Sequence, residues 1–166
     1  MSAPVSSPPT SQRLMIFEVA GHPFALPISE VLEVVEQSGV RCIPTLSKST
    51  GGVMNWHGEA LPVIASHLLL GGDAMPERGA DEVQPFLVVS DRPDGGRQLG
   101  LPIDHVCGLV NGERGRPAGN EVVVERRTLD GRVVSLVNPQ RLVAQAEEVI
   151  ERNSSRYPSG AGQATP

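Results

Sequence analysis

The side chains able to bind a metal or run acid–base chemistry are few and scattered. Four histidines, His22, His57, His67 and His105, and two cysteines, Cys42 and Cys107, are the candidate nitrogen and thiolate ligands of the 166-residue chain. Successive histidines lie 35, 10 and 38 residues apart. None of these intervals is the i, i+4 of a helix pair or the i, i+2 of a strand pair. The cysteines form no CxxC pair, so neither a disulfide framework nor a four-cysteine zinc site is supported, and small buried thiols are the expected state. The glycine pairs at 51–52, 71–72 and 95–96 make no GxGxxG or P-loop pattern and read as turns. Ser29-Glu30 and Ser66-His67 are adjacent pairs, and strand neighbours face opposite sides, so neither sets a base beside a nucleophile. The residues point to a non-enzymatic protein with no cofactor and no metal.

One short stretch stands out. Residues 51–64, GGVMNWHGEALPVI, carry the only tryptophan, Trp56. Apolar runs flank a polar break ending in Gly58, and glycine supplies the positive φ of a tight hairpin turn. The stretch reads as a β-hairpin with His57 near its tip. Trp56 there is either a lid over the core or an exposed anchor for a partner, the role in which tryptophan is enriched at interfaces. Glu33 and Glu36 follow apolar residues and read as solvated carboxylates, and Asp104 reads as a turn cap.

The elements that position these residues are organised by an internal repeat. Residues 24–35, FALPISEVLEVV, align with residues 99–110, LGLPIDHVCGLV, at an offset of 75. Further on, Gly58-Glu59 followed by Val63-Ile64 parallels Gly131-Arg132 followed by Leu136-Val137 at an offset of 73. Two similar units follow, around 14–80 and 83–150, too few for a solenoid or propeller. Each opens with an apolar strand, MIFEV at 15–19 and FLVVS at 86–90, and turns into a second strand at Gly21-His22 or Asp94-Gly95-Gly96. Residues 29–34 and 104–109 fit a helical turn or a strand equally well.

The second unit adds strands at 121–126 and 132–137 around Asp130-Gly131, a strong hairpin signal. Asn138-Pro139 then offers an N-cap and a first-turn proline. Leu142, Val143, Ala146, Val149 and Ile150 fall on one helical face. In the first unit Ser66 is placed to cap a shorter helix ending at Gly71-Gly72. Short strands between glycine turns predict an all-β fold with a C-terminal helix. Two small, partly open barrels sharing a hydrophobic seam remove most of the sheet edges.

Composition bounds the partners. Hydrophobic residues make up 39% of the chain and concentrate between Leu14 and Ile150, enough for a folded body. Residues 1–12 and 153–166 are rich in Pro, Ser or Gly and read as disordered tails around a domain at 13–152. The net charge of −5, without a basic run, argues against nucleic acid or anionic lipid. No run of 18 apolar residues or secretory leader is present, so a cytoplasmic protein without membrane insertion is expected.

The order of FALPISEVLEVV, the Ile43-Pro44 pair, GGVMNWHGEALPVIASHLLLGG, FLVV and LGLPIDHVCGLV resembles the CheW-like coupling proteins of bacterial chemotaxis, from about Leu14 to Ile150. The resemblance implies two intertwined five-stranded SH3-like β-barrels and no enzyme activity. It also implies an adaptor role, linking the cytoplasmic tip of methyl-accepting chemoreceptors to the regulatory domain of a CheA-type histidine kinase, at membrane-associated receptor arrays. Carried over residue by residue, the partner-facing positions are Glu33, in the family's VxEV stretch, the hairpin tip Asn55, Trp56, His57 and Gly58, and the strand bearing Val106, Leu109 and Val110. The rival readings are a β-barrel binding a small ligand or another protein outside receptor arrays, and a small metal-dependent enzyme.

Two positions depart from the family pattern. Where the family hairpin usually reads Asn-Leu-Arg-Gly, this chain has Asn55-Trp56-His57-Gly58, which gives up a permanent cation. Where the family tends to place aspartate after Pro-Val-Ile, this chain has Ala65. Joint loss of an arginine and an aspartate predicts that they pair across the hairpin in relatives, since replacing both partners costs less than removing one.

Overall fold

The computed structural model describes residues 11–37, 50–73, 82–93, 95–113 and 121–156. The first half holds β1 (Ser11–Val19), β2 (His22–Pro27), a 3-10 turn (Ile28–Glu30), β3 (Val31–Gln37), β4 (Gly51–Trp56), β5 (Glu59–Ile64) and α1 (Ser66–Leu70). The second holds β6 (Gln84–Ser90), β7 (Gln98–Pro102), β8 (His105–Glu113), β9 (Val123–Leu129), β10 (Arg132–Val137) and α2 (Pro139–Arg156).

The strands form two five-stranded sheets, ordered β8-β1-β2-β10-β9 and β3-β6-β7-β5-β4. Adding or subtracting five to each label turns one order into the other. The sequence repeat is therefore a structural one, with each sheet built from strands of both halves. Strands of the two halves meet twice in each sheet: antiparallel at β8-β1 and β3-β6, and parallel at β2-β10 and β7-β5. The bulges repeat as well. Leu32 is the extra residue of β3 opposite β6, and Cys107, 75 positions on, is the extra residue of β8 opposite β1.

Side-chain alternation produces three cores. On β1, Leu14 and Ile16 face a small core completed by Ala25, Leu129, Val134 and Leu136. The intervening Met15 and Phe17 face a larger one. On β6, Phe86 and Val88 join Met54, Leu61 and Val63, while Leu87 and Val89 turn to the larger core. That shared core takes strands of both sheets together with Leu69 of α1 and Leu142, Val143, Ala146 and Val149 of α2. Being buried on both faces is the reason MIFEV and FLVV read as nearly unbroken apolar runs. The all-β architecture of paired SH3-like sheets and a C-terminal helix is thus realised, each sheet curling around its own small core.

Asn138 caps α2 as its sequence predicts: its Oδ1 accepts the backbone N–H groups of Gln140 at 3.0 Å and Arg141 at 3.4 Å. Ser66 does not cap α1. It lies inside the helix, whose N-cap is Ala65, and its hydroxyl donates to the Pro102 carbonyl, tying α1 to β7. The ambiguous segments resolve as a 3-10 turn followed by β3 in one half and as β8 in the other. Ser29 and Glu30 consequently lie in a tight turn, not on a strand, and the Ser29 hydroxyl donates to the buried Glu30 carboxylate. The first hairpin turns at Ala20-Gly21, one residue earlier than read from sequence. β1 starts at Ser11 and α2 runs through Arg156, so ordered structure extends past both expected tail boundaries. Residues 1–10 and 157–166 lie outside the described residues, as do Cys42, Ile43, Pro44 and Asp94.

Candidate partner-binding site

The hairpin of β4 and β5 is a two-residue type I′ turn. Trp56 pairs with Glu59, while His57 at φ 51° and Gly58 at φ 83° make the corner. Histidine is one of the few side chains enriched at positive φ, and glycine adopts it freely. The Asn55 side chain accepts the Gly58 N–H at 2.9 Å and closes the turn from below.

Glu33 reaches this turn from the far side of its sheet. β3 and β4 are the two ends of the β3-β6-β7-β5-β4 order, yet the Trp56 indole Nε1–H donates to Glu33 Oε2 at 2.6 Å and His57 Nε2 lies 2.8 Å from the same oxygen. Only a sheet curled almost into a barrel brings its ends this close. The bulge at Leu32 sets up the contact: Glu33 pairs with Val88 and so shares the face of Val88 and Val35, toward the Met54 core. Trp56, on the face of Met54, packs against that core from the other end. It is a lid, with its polar edge spent on Glu33. The indole N–H, and after it His57, holds the Glu33 carboxyl below the usual carboxylate range.

The third predicted element, β8, belongs to the other sheet. Val110 is half-buried against the small core of its own sheet, whereas Val106 and Leu109 are 36% and 46% exposed. Their repeat counterparts on β3 are Val31 and Val34; Val34 and the bulge residue Leu32 are 41% and 36% exposed. Equivalent edge strands of the two barrels thus each present an apolar strip to solvent. The structure gathers Glu33, Asn55, Trp56, His57 and Gly58 into one cluster and places Val106, Leu109 and Val110 apart from it, on the second sheet.

Positions 57 and 65 lie at opposite ends of β5, about 20 Å apart at the ordinary strand rise. An arginine and an aspartate there could not pair, which contradicts the cross-hairpin ion pair predicted for relatives. The acidic partner of position 57 in this chain is Glu33.

A second polar cluster escaped the sequence reading. Glu18 of β1 lies opposite His105 of β8, with Oε2 2.5 Å from His105 Nε2 and 3.6 Å from Cys107 Sγ. Its other oxygen, Oε1, accepts from Arg132 of β10 at 2.9 Å. Arg132 holds the Glu18 carboxyl below its ordinary value against the opposing pull of desolvation, with His105 adding to the effect. Partial desolvation and the Glu18 carboxylate raise the Cys107 thiol. Cys107 is exposed, contrary to the expected buried thiol, because as the bulge residue it is turned out of the ladder. The signal was available: His105 and Cys107 stand at i, i+2, an interval hidden when histidines are counted only against each other.

A small double barrel with filled interiors and apolar strips on equivalent edge strands has the form of a protein-interaction scaffold. No described helix is long and apolar enough to cross a membrane. The CheW-like domain model matches residues 13–147, and the chain belongs to the CheW-like family. The solved scaffolding protein TtCheW from Thermoanaerobacter tengcongensis is similar in fold, with a TM-score of 0.62 at 20% identity over 80% of this chain and 92% of that one. No curated protein matches the chain in sequence.

Proposed function

We propose that this chain is a non-enzymatic cytoplasmic adaptor that couples methyl-accepting chemoreceptors to the regulatory domain of a CheA-type histidine kinase within a chemosensory array. The observation that carries the reading is the pair of exposed apolar strips on equivalent edge strands, Leu32 and Val34 on β3 and Val106 and Leu109 on β8, in a chain of the CheW-like family. Two like surfaces on one rigid body suit a part that joins two proteins. An edge strand also offers unpaired backbone groups to a partner's sheet. Both barrel interiors are packed with side chains, which works against the small-ligand barrel as the alternative.

The hairpin tip, Asn55 to Gly58, with Glu33 beneath it, supplies a rigid polar surface for the receptor's helical hairpin. Coupling then arises because one adaptor body contacts both partners, and a receptor state that binds it differently biases the kinase. Co-purification tests the surfaces separately. The wild-type chain should retain both a receptor signalling tip and a kinase regulatory domain. We assign the β8 strip to the kinase domain, so Val106→Asp with Leu109→Asp should lose that domain while the thermal transition stays in place; retention of both partners by the double variant would refute the assignment.

A further inference from the structure

We infer that Glu18, His105 and Cys107 form a surface binding site for a borderline-soft divalent metal of the zinc class, on the mouth of the barrel built from β8, β1, β2, β10 and β9. One carboxylate oxygen, one imidazole nitrogen and one thiol sulfur, each offered by a different residue, lie within 4.8 Å of one another. A mixed O, N, S set is the donor chemistry of zinc, and three protein ligands leave a fourth coordination position for water. Around a tetrahedral zinc such atoms stand about 3.3–3.8 Å apart, given the usual bond lengths of about 2.0–2.3 Å. The Glu18–Cys107 separation of 3.6 Å already falls there. The exposed His105 ring has solvent on its open side into which to withdraw from Glu18.

The backbone is built for this convergence. Without the bulge at Cys107, alternation would put His105 and Cys107 on the face of Leu109, away from the barrel interior. The extra residue reverses the alternation, so that His105 pairs with Glu18 and Cys107 reaches the same carboxylate. Gly108, at φ 153°, carries the irregularity. Arg132 donates through Nη2 to Glu18 Oε1 at 2.9 Å, leaving Oε2 to face His105 and Cys107, and its Nη1 lies 4.0 Å from Cys107 Sγ, so one guanidinium orients the carboxylate and sits beside the thiol as a supporting residue does around metal ligands.

The repeat supplies an internal control. The counterparts of Glu18, His105, Cys107 and Arg132 in the other barrel are Ser90, Glu30, Leu32 and Glu59, which include neither histidine nor thiol. The shared fold does not impose the cluster, and among the described residues it is found in one barrel.

The test is titration of the full chain, purified without a histidine tag under reducing conditions, with Co²⁺ followed by Zn²⁺ competition. One equivalent of Co²⁺ should produce a thiolate-to-cobalt charge-transfer band that Zn²⁺ abolishes. Cys42→Ser should leave the band intact. Cys107→Ser should remove it. His105→Gln and Glu18→Gln should each weaken Zn²⁺ binding by more than the roughly 10- to 100-fold that loss of a supporting residue costs, with the far-UV circular dichroism of each variant unchanged. No band in the wild-type chain, or a band that survives Cys107→Ser and disappears in Cys42→Ser, would overturn the assignment. Because no receptor or kinase is present, the result is independent of the adaptor reading.

Discussion

At the scale of single residues, the account turns on Glu33, whose carboxylate is a shared acceptor for the two side chains of the hairpin tip. The chain has one tryptophan, so its fluorescence reports on the hairpin tip, where Trp56 meets Glu33. Glu33 ionises more readily in the folded protein than in the unfolded chain, so its contribution to stability is complete above the ordinary value of 4.5 and is lost as pH falls through the lower folded value. A fluorescence transition below pH 4.5 should therefore precede global unfolding and vanish in Glu33→Gln; an identical titration in that variant would contradict the assignment. His57→Arg places a permanent cation beside the same carboxylate and at the solvent-facing tip. It should strengthen receptor-tip capture by roughly two- to fivefold, the scale of an exposed ion pair. Unchanged affinity would remove the tip from the receptor surface.

At the scale of elements, local chemistry was legible wherever one residue type has one conformational use. The type I′ turn at His57-Gly58, the turn at Asp130-Gly131 and the Asn138-Pro139 start of α2 all read from the chain, because positive φ and orphan helix donors each demand particular side chains. Asn138→Ala should cost about 1 kcal/mol, measured as a lowered denaturation midpoint at unchanged slope. Contacts set by long-range pairing were not legible. Glu33 is read as solvated until β3 and β4 are known to end a curled sheet, and Ser66 as a cap until β7 is known to lie beside α1. The two bulges are equally silent in sequence, yet they decide which way Glu33, His105 and Cys107 face. Thus the hairpin part of the candidate site was readable as a turn, and its closure by Glu33 was not.

At the scale of the whole molecule, the duplicated sequence forms one body instead of two beads, since each sheet borrows strands from both halves and both sheets face a common core. Leu101, fully buried in that core, is the place to test it. Leu101→Ala should cost about 2–5 kcal/mol, and hydrogen exchange should rise in both sheets together. Exchange rising only in the sheet containing β7 would show that the barrels are energetically separate. A single rigid body with two edge strips is what an adaptor requires, and the most direct test of that role is functional reconstitution. Receptor signalling domains and a CheA-type kinase from the same genome are combined with and without the chain, and autophosphorylation is followed. The account predicts receptor-dependent kinase control only when the chain is present, abolished by Val106→Asp with Leu109→Asp. Equal control without the chain, or with the double variant, would contradict it.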